Sequence, residues 1–207
     1  MVEYASEPNL LARQAIFGLI GDIQSCVRDH RGVFLPELVK HITANLEFDT
    51  SNMSIAGFSN QSQLMQDYGS SQHNAIAVCT NACWALGEIA MTSTQSEAGA
   101  PQRQALQAHL PQISQKLVKL LSKQKLNRSL AQNLACTMGR VALASPGCIN
   151  DAQLQAIMKQ WCVSLRFVKD ADERESAYRG FCSVLPVSIK AVTDNFPFLC
   201  SAISCYK

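Results

Sequence analysis

An eleven-residue pattern recurs four times in this chain, and it constrains the fold more tightly than any other feature. The stretches RQAIFGLIGDI (Arg13 to Ile23), CTNACWALGEI (Cys79 to Ile89), AQNLACTMGRV (Ala131 to Val141) and RESAYRGFCSV (Arg174 to Val184) align without a gap. Count the first residue of each copy as zero. Position 3 is then Ile16, Ala82, Leu134 and Ala177. Position 7 is Ile20, Leu86, Met138 and Phe181, and position 10 is Ile23, Ile89, Val141 and Val184. At about 100° per residue these three positions share one narrow stripe of a helix, the stripe that faces a core. Position 8, beside it, is Gly21, Gly87, Gly139 and then Cys182. A residue that small lets a neighbouring helix approach closely.

A second helix type alternates with the first. VFLPELVKHITANL (Val33 to Leu46) and AHLPQISQKLVKLL (Ala108 to Leu121) share a Leu-Pro-x-aliphatic start followed by an amphipathic run. The proline suits a first helical turn, where its missing N–H costs nothing. AQLQAIMKQWCVSL (Ala152 to Leu165) occupies the same slot without the proline, and FPFLCSAI near the C-terminus opens another. The spacing predicts an all-α chain of eight helices, over about 8–28, 33–46, 74–93, 106–123, 127–144, 150–166, 171–185 and 188–205. Pairs recur roughly every 40 residues, the period of a HEAT-type α-solenoid. Residues 1–207 read as one such array, beginning and ending in mid-repeat, a segment of a longer superhelix. The rhythm breaks once, at Glu47 to Gln72, which is rich in Ser, Asn, Gln and Gly. That segment, 47–72, is expected to be an inserted flexible loop.

Composition narrows the function classes. Apolar residues make up 47% of the chain and charged residues 16%, which excludes a disordered chain and suits helices covered by neighbours. A net charge of +2 with no basic run gives no nucleic-acid footprint. No uninterrupted apolar run of membrane length occurs, and the N-terminus carries no signal-peptide pattern. Of the nine cysteines, Cys79, Cys83, Cys136, Cys162, Cys182 and Cys200 lie within apolar helical patterns, as free thiols acting as small hydrophobes. Cys79 and Cys83 have the i, i+4 spacing of two metal ligands but no further ligand motif, so no metal or other cofactor is expected. The four histidines stand alone, and no phosphate loop or nucleophile motif appears. The chain is not expected to be an enzyme.

Positions 1, 5 and 9 lie opposite the core stripe. In the second copy they are Thr80, Trp84 and Glu88, with Asn81 on the flank at position 2. In the first copy they are Gln14, Gly18 and Asp22; in the third Gln132, Cys136 and Arg140; in the fourth Glu175, Arg179 and Ser183. An aromatic beside amides and carboxylates is the composition of a recognition surface. Trp84 is equally compatible with packing under the 47–72 segment or against a neighbouring repeat. Trp161 follows the apolar Leu154 and Ile157 and reads as core. Asp172 reads as an N-cap, and Arg140 and Arg179 as surface charges or partners of nearby acids.

The strings CTNACWALGEIA, NLACTMGRVALASP and WCVSLRFVKDADERESAYRGFC, with RQAIFGLIGDI before them, resemble the C-terminal HEAT repeats of the transportin (karyopherin-β2) branch of the importin-β superfamily. The similarity covers nearly the whole chain apart from 47–72. It implies a nuclear import receptor that shuttles between cytoplasm and nucleus. Cargo proteins would present basic, hydrophobic PY-type localisation signals, extended on the concave face. Nucleoporins and Ran-GTP are the implied further partners, Ran-GTP through an N-terminal arch outside this chain; nucleic acid and membrane are not. The resemblance places the signal-contacting tryptophan at Trp84, an aspartate at Asp22, a glutamine at Gln14 and an asparagine at Asn133. The family often has two asparagines ahead of that tryptophan; here Thr80 replaces the first and Asn81 keeps the second. The alternative is a HEAT scaffold of another complex, whose outer ridge binds a folded partner.

Overall fold

The computed structural model describes residues 9–26, 35–47, 61–94, 100–123, 126–145 and 147–206, with the backbone alone at 25–26 and 61–72. Within them the chain runs α1 (Leu10–Cys26), α2 (Leu35–Ala44), α3 (Gln61–Ser93), α4 (Ala100–Leu121), α5 (Arg128–Ala144), α6 (Asp151–Leu165), α7 (Ala171–Val184), a 3₁₀ turn (Leu185–Val187), α8 (Ile189–Asp194) and α9 (Phe196–Ser204). The described residues include no strand.

Two layers result. α1, α3, α5 and α7, the four repeat copies, pack side by side in one. α2, α4 and α6 follow one another in the second, which α8 and α9 extend by packing on α6. The core lies between the layers and is built from the predicted stripe. Ala82, Leu86, Ile89, Leu134, Met138, Val141, Ala177, Phe181 and Val184 are all buried, as is Ile20, while Ile16 and Ile23 are half-buried. Trp161 is core: fully buried, it donates from Nε1 to the Ala135 carbonyl at 3.1 Å and meets the Phe181 ring edge-on at 5.0 Å. The architecture is an all-α HEAT-type solenoid, as the period requires.

Several boundaries differ from expectation, each for a physical reason. Residues 61–72 are not loop: they form the first turns of the 33-residue α3. Once the packed half of α3 has nucleated, each further turn costs little, so a polar run rich in Gln can extend it. The rest of the expected loop, 48–60, lies outside the described residues. α4 begins at Ala100, so the first-turn proline is Pro101, and Pro111 sits inside the helix. There it denies the Gln107 carbonyl an intrahelical partner. The cap of α7 is Asp170, whose carboxylate accepts from the backbone N–H groups of Asp172 and Glu173 at 3.0 and 2.9 Å. Asp172, expected as the cap, lies in the first turn, where its charge still complements the helix dipole. The eighth expected helix is two, α8 and α9, divided at Asn195 ahead of Pro197.

The thiols also divide. Cys79, Cys83, Cys136, Cys148 and Cys162 are buried, whereas Cys182 and Cys200 are exposed, contrary to the apolar pattern around them. The His73–Ser93 part of α3 is long and apolar enough to cross a membrane by length and composition. Its apolarity has a use here, because α1, α4 and α5 all pack on α3.

Candidate partner-binding site

In the first layer α3 and α5 each lie between two neighbours, and polar positions of the repeat meet them. Asn81 of α3 donates from Nδ2 to the Gln14 carbonyl of α1 at 2.9 Å. Thr137 of α5 donates to the Cys83 carbonyl of α3 at 2.7 Å. Arg140 donates to the Glu88 carboxylate of α3 at 2.5 Å and to the Ser176 hydroxyl of α7 at 3.0 Å, with a side chain only 7% exposed. A guanidinium this deep requires its acceptors, so Arg140 fastens three consecutive first-layer helices.

The ridge of positions 1, 5 and 9 is therefore not uniformly outward. In α7 it is exposed throughout: Glu175, Arg179 and Ser183 all face solvent, and Arg179 pairs with Glu175 at 3.6 Å. In α5, squeezed between α3 and α7, Cys136 and Arg140 are buried. Gln132 is half-buried and donates to the Phe167 carbonyl. In α3, Thr80, Trp84 and Glu88 are half-buried.

Each proposed contact residue has a definite place. Trp84 is partly exposed and partly packed on α1: a Cβ added at Gly21 would lie 2.8 Å from the indole Cη2, closer still to two other ring atoms. The packing reading of the tryptophan thus holds in part, since one side of the ring meets a neighbouring repeat. Asp22, beside Gly21, is exposed. Gln14 is half-buried, and its carbonyl is taken by Asn81. Thr80 donates to the Ile76 carbonyl at 2.7 Å within its own helix, and Asn133 likewise to the Ser129 carbonyl at 3.2 Å. Glu88 is committed to Arg140. Trp84 reaches α1 at Gly21, the residue before Asp22; Asn133 stands two first-layer helices on from α1, and Asn81, Thr80 and Glu88 are partnered within the fold.

Arg140 has the acid partner expected of it, Glu88, but is buried rather than at the surface. The seat that Gly21 provides for Trp84 goes beyond the spacing role expected of that glycine. A signal for it existed: the copy that precedes the one with Trp84 at position 5 carries glycines at both 5 and 8, Gly18 and Gly21.

The electrostatics are those of a structural network. Burial is the largest factor raising the Glu173 carboxyl above its ordinary value; Asp170 and Glu88 add to the rise and Arg140 opposes it. Burial pushes the thiols of Cys136, Cys148 and Cys162 up to about 12. Cys83 is raised well above the usual thiol value, first by its hydrogen bond with Cys79. Such thiols stay protonated, which unsuits them as nucleophiles. Among the described residues no group of three or more His, Cys, Asp or Glu side chains could hold a metal ion.

No family model matches the chain. Among curated proteins it is similar to transportin-1 of Homo sapiens, at 33% identity over 129 residues, 62% of this chain and 13% of that protein. It is similar to the transportin of Dictyostelium discoideum at 24% over 191 residues, 92% of this chain and 17% of that protein. Importin subunit beta-2 of Saccharomyces cerevisiae matches at 26% over 197 residues, 93% of this chain and 18% of that protein. The chain spans less than a fifth of the length of these relatives, whose names are those of transport proteins rather than enzymes. The relatives match the same repeat-bearing chain whose helices form the two layers described above, and the chain is similar to part of the transportin and importin-β proteins.

Proposed function

We propose that the outer edge of α1 and α3 binds an extended basic and hydrophobic segment of a cargo protein, a PY-type import signal, as part of a nuclear import receptor moving between cytoplasm and nucleus. The supporting observation is the half-exposed indole of Trp84 seated on α1 at Gly21, next in sequence to the exposed Asp22. A rigid aromatic with one side free is the side-chain type that anchors interfaces, and a nearby carboxylate favours a basic segment. The side chain of Gln14 is a secondary contact in this reading; Asn133, Asn81, Thr80 and Glu88, already partnered within the fold, contribute least. Nucleoporin and Ran-GTP binding belong to the receptor as a whole.

Titration of a fluorescein-labelled basic peptide ending in Pro-Tyr tests the reading. Saturable binding is expected, with Trp84→Ala weakening it by about 2 kcal/mol, roughly 30-fold. Asp22→Asn should weaken it less, and progressively less as salt rises. Equal affinity of wild type and Trp84→Ala would remove this edge from the proposal. Preference for a folded partner over any extended peptide would favour a scaffold role instead.

A further inference from the structure

We infer that Gly21 of α1 is a positioning residue: it sets the stance of the Trp84 indole, and so which side of the ring a partner meets. This deepens the reading above and rests on it for its functional consequence, though not for its geometry. Three observations carry it. First, the place where any other residue would put a Cβ is filled by the six-membered ring of Trp84, with Cη2 at 2.8 Å. Second, α3 cannot slide away to make room, because Asn81, one turn before Trp84, is bonded to the Gln14 carbonyl at 2.9 Å. A Cβ at Gly18 would also lie only 3.3 Å from Asn81 Nδ2. Third, the adjoining turns of α3 are locked from behind by the fully buried Ala82, Cys83, Leu86 and Ile89. With the backbone fixed on both sides, the movable part is the indole itself, and the direction open to it is toward solvent. The recognition edge is thus composite: α3 supplies the ring and α1 supplies the groove that orients it.

The aligned Gly87 provides the control. A Cβ there meets only Arg140 and Thr137 side-chain atoms at 3.4 Å, an ordinary contact. Acrylamide quenching of tryptophan emission reads ring position directly, since Trp161 is fully buried and contributes a shielded background. Gly21→Ala is expected to raise the quenching constant and shift emission to the red, while Gly87→Ala leaves both unchanged. Peptide affinity should fall about tenfold in Gly21→Ala and stay level in Gly87→Ala. Should Gly21→Ala be too unstable to titrate, a double-mutant cycle in urea decides the matter. Alanine is the better helix residue, so Gly21→Ala should stabilise the chain in a Trp84→Ala background and destabilise it in the wild-type one. Unchanged quenching by Gly21→Ala, or the same sign of effect in both backgrounds, overturns the inference. Failure of the wild-type chain to bind the peptide would defeat the proposed function, while the quenching and stability arms would still decide the role of Gly21.

Discussion

Arg140 shows how a single side chain is conscripted by its surroundings. Its repeat position faces outward in principle, yet α3 and α7 close over it, and it joins Glu88 to Ser176. Removing one partner of a buried pair strands the other, so Arg140→Ala is expected to cost about 3–5 kcal/mol in urea unfolding. Arg140→Met combined with Glu88→Leu should recover much of that loss. Glu173, near the same guanidinium, behaves oppositely. Its folded-state pKa is raised, chiefly by burial. Between its ordinary value and the raised one, the folded state binds more protons than the unfolded, so this residue's contribution to stability falls as pH rises through that window. Glu173→Gln should accordingly be more stable than wild type at neutral pH, with the gap closing below the ordinary carboxylate range. Urea midpoints at the two pH values check the sign, and an unchanged gap would contradict it.

Whole helices share one repeat pattern, but the glycine at position 8 does three different jobs. Gly21 accommodates Trp84, Gly139 accommodates backbone, and Gly87 lies where a Cβ would make only ordinary side-chain contacts. Gly87→Ala is therefore expected to stabilise α3, by up to about 1 kcal/mol from helix propensity, a change that thermal melts of the two proteins would resolve. The core stripe was legible in the sequence because positions 3, 7 and 10 repeat at the helical period, and in the second, third and fourth copies all of them are buried. The traffic between first-layer helices was not, because Glu88 and Arg140 lie 52 positions apart and their meeting depends on the lateral spacing of α3 and α5. The outward ridge was half legible for the same reason: it is exposed in α7, buried in α5 and divided in α3. Helix starts misled where two candidates competed, Pro101 with Pro111 and Asp170 with Asp172, since either residue type suits a first turn. Of the expected contact residues, Asn81, Thr80 and Glu88 are fastenings of the fold, a role their repeat positions alone do not reveal.

At the scale of the molecule, a solenoid is only as cooperative as its joints, since each repeat touches only its neighbours. The tightest joint is between α5 and α7. A Cβ at Gly139 would fall 2.7 Å from the Ala177 Cα, and one at Gly180 would fall 2.9 Å from the Gly139 Cα. These are backbone contacts, which cannot step aside as an indole can. Gly139→Val is expected to force α5 and α7 apart, costing about 1–3 kcal/mol or more. The loss should not be spread evenly. α8 and α9 rest mainly on α6, while α1 and α3 are held by Asn81, Gln14 and the Trp84–Gly21 contact. Amide hydrogen exchange should therefore quicken most in α7, with α1 to α3 keeping the protection of wild type. If protection instead falls equally from α1 to α9, the array opens as one unit and the joints between its repeats do not set its cooperativity.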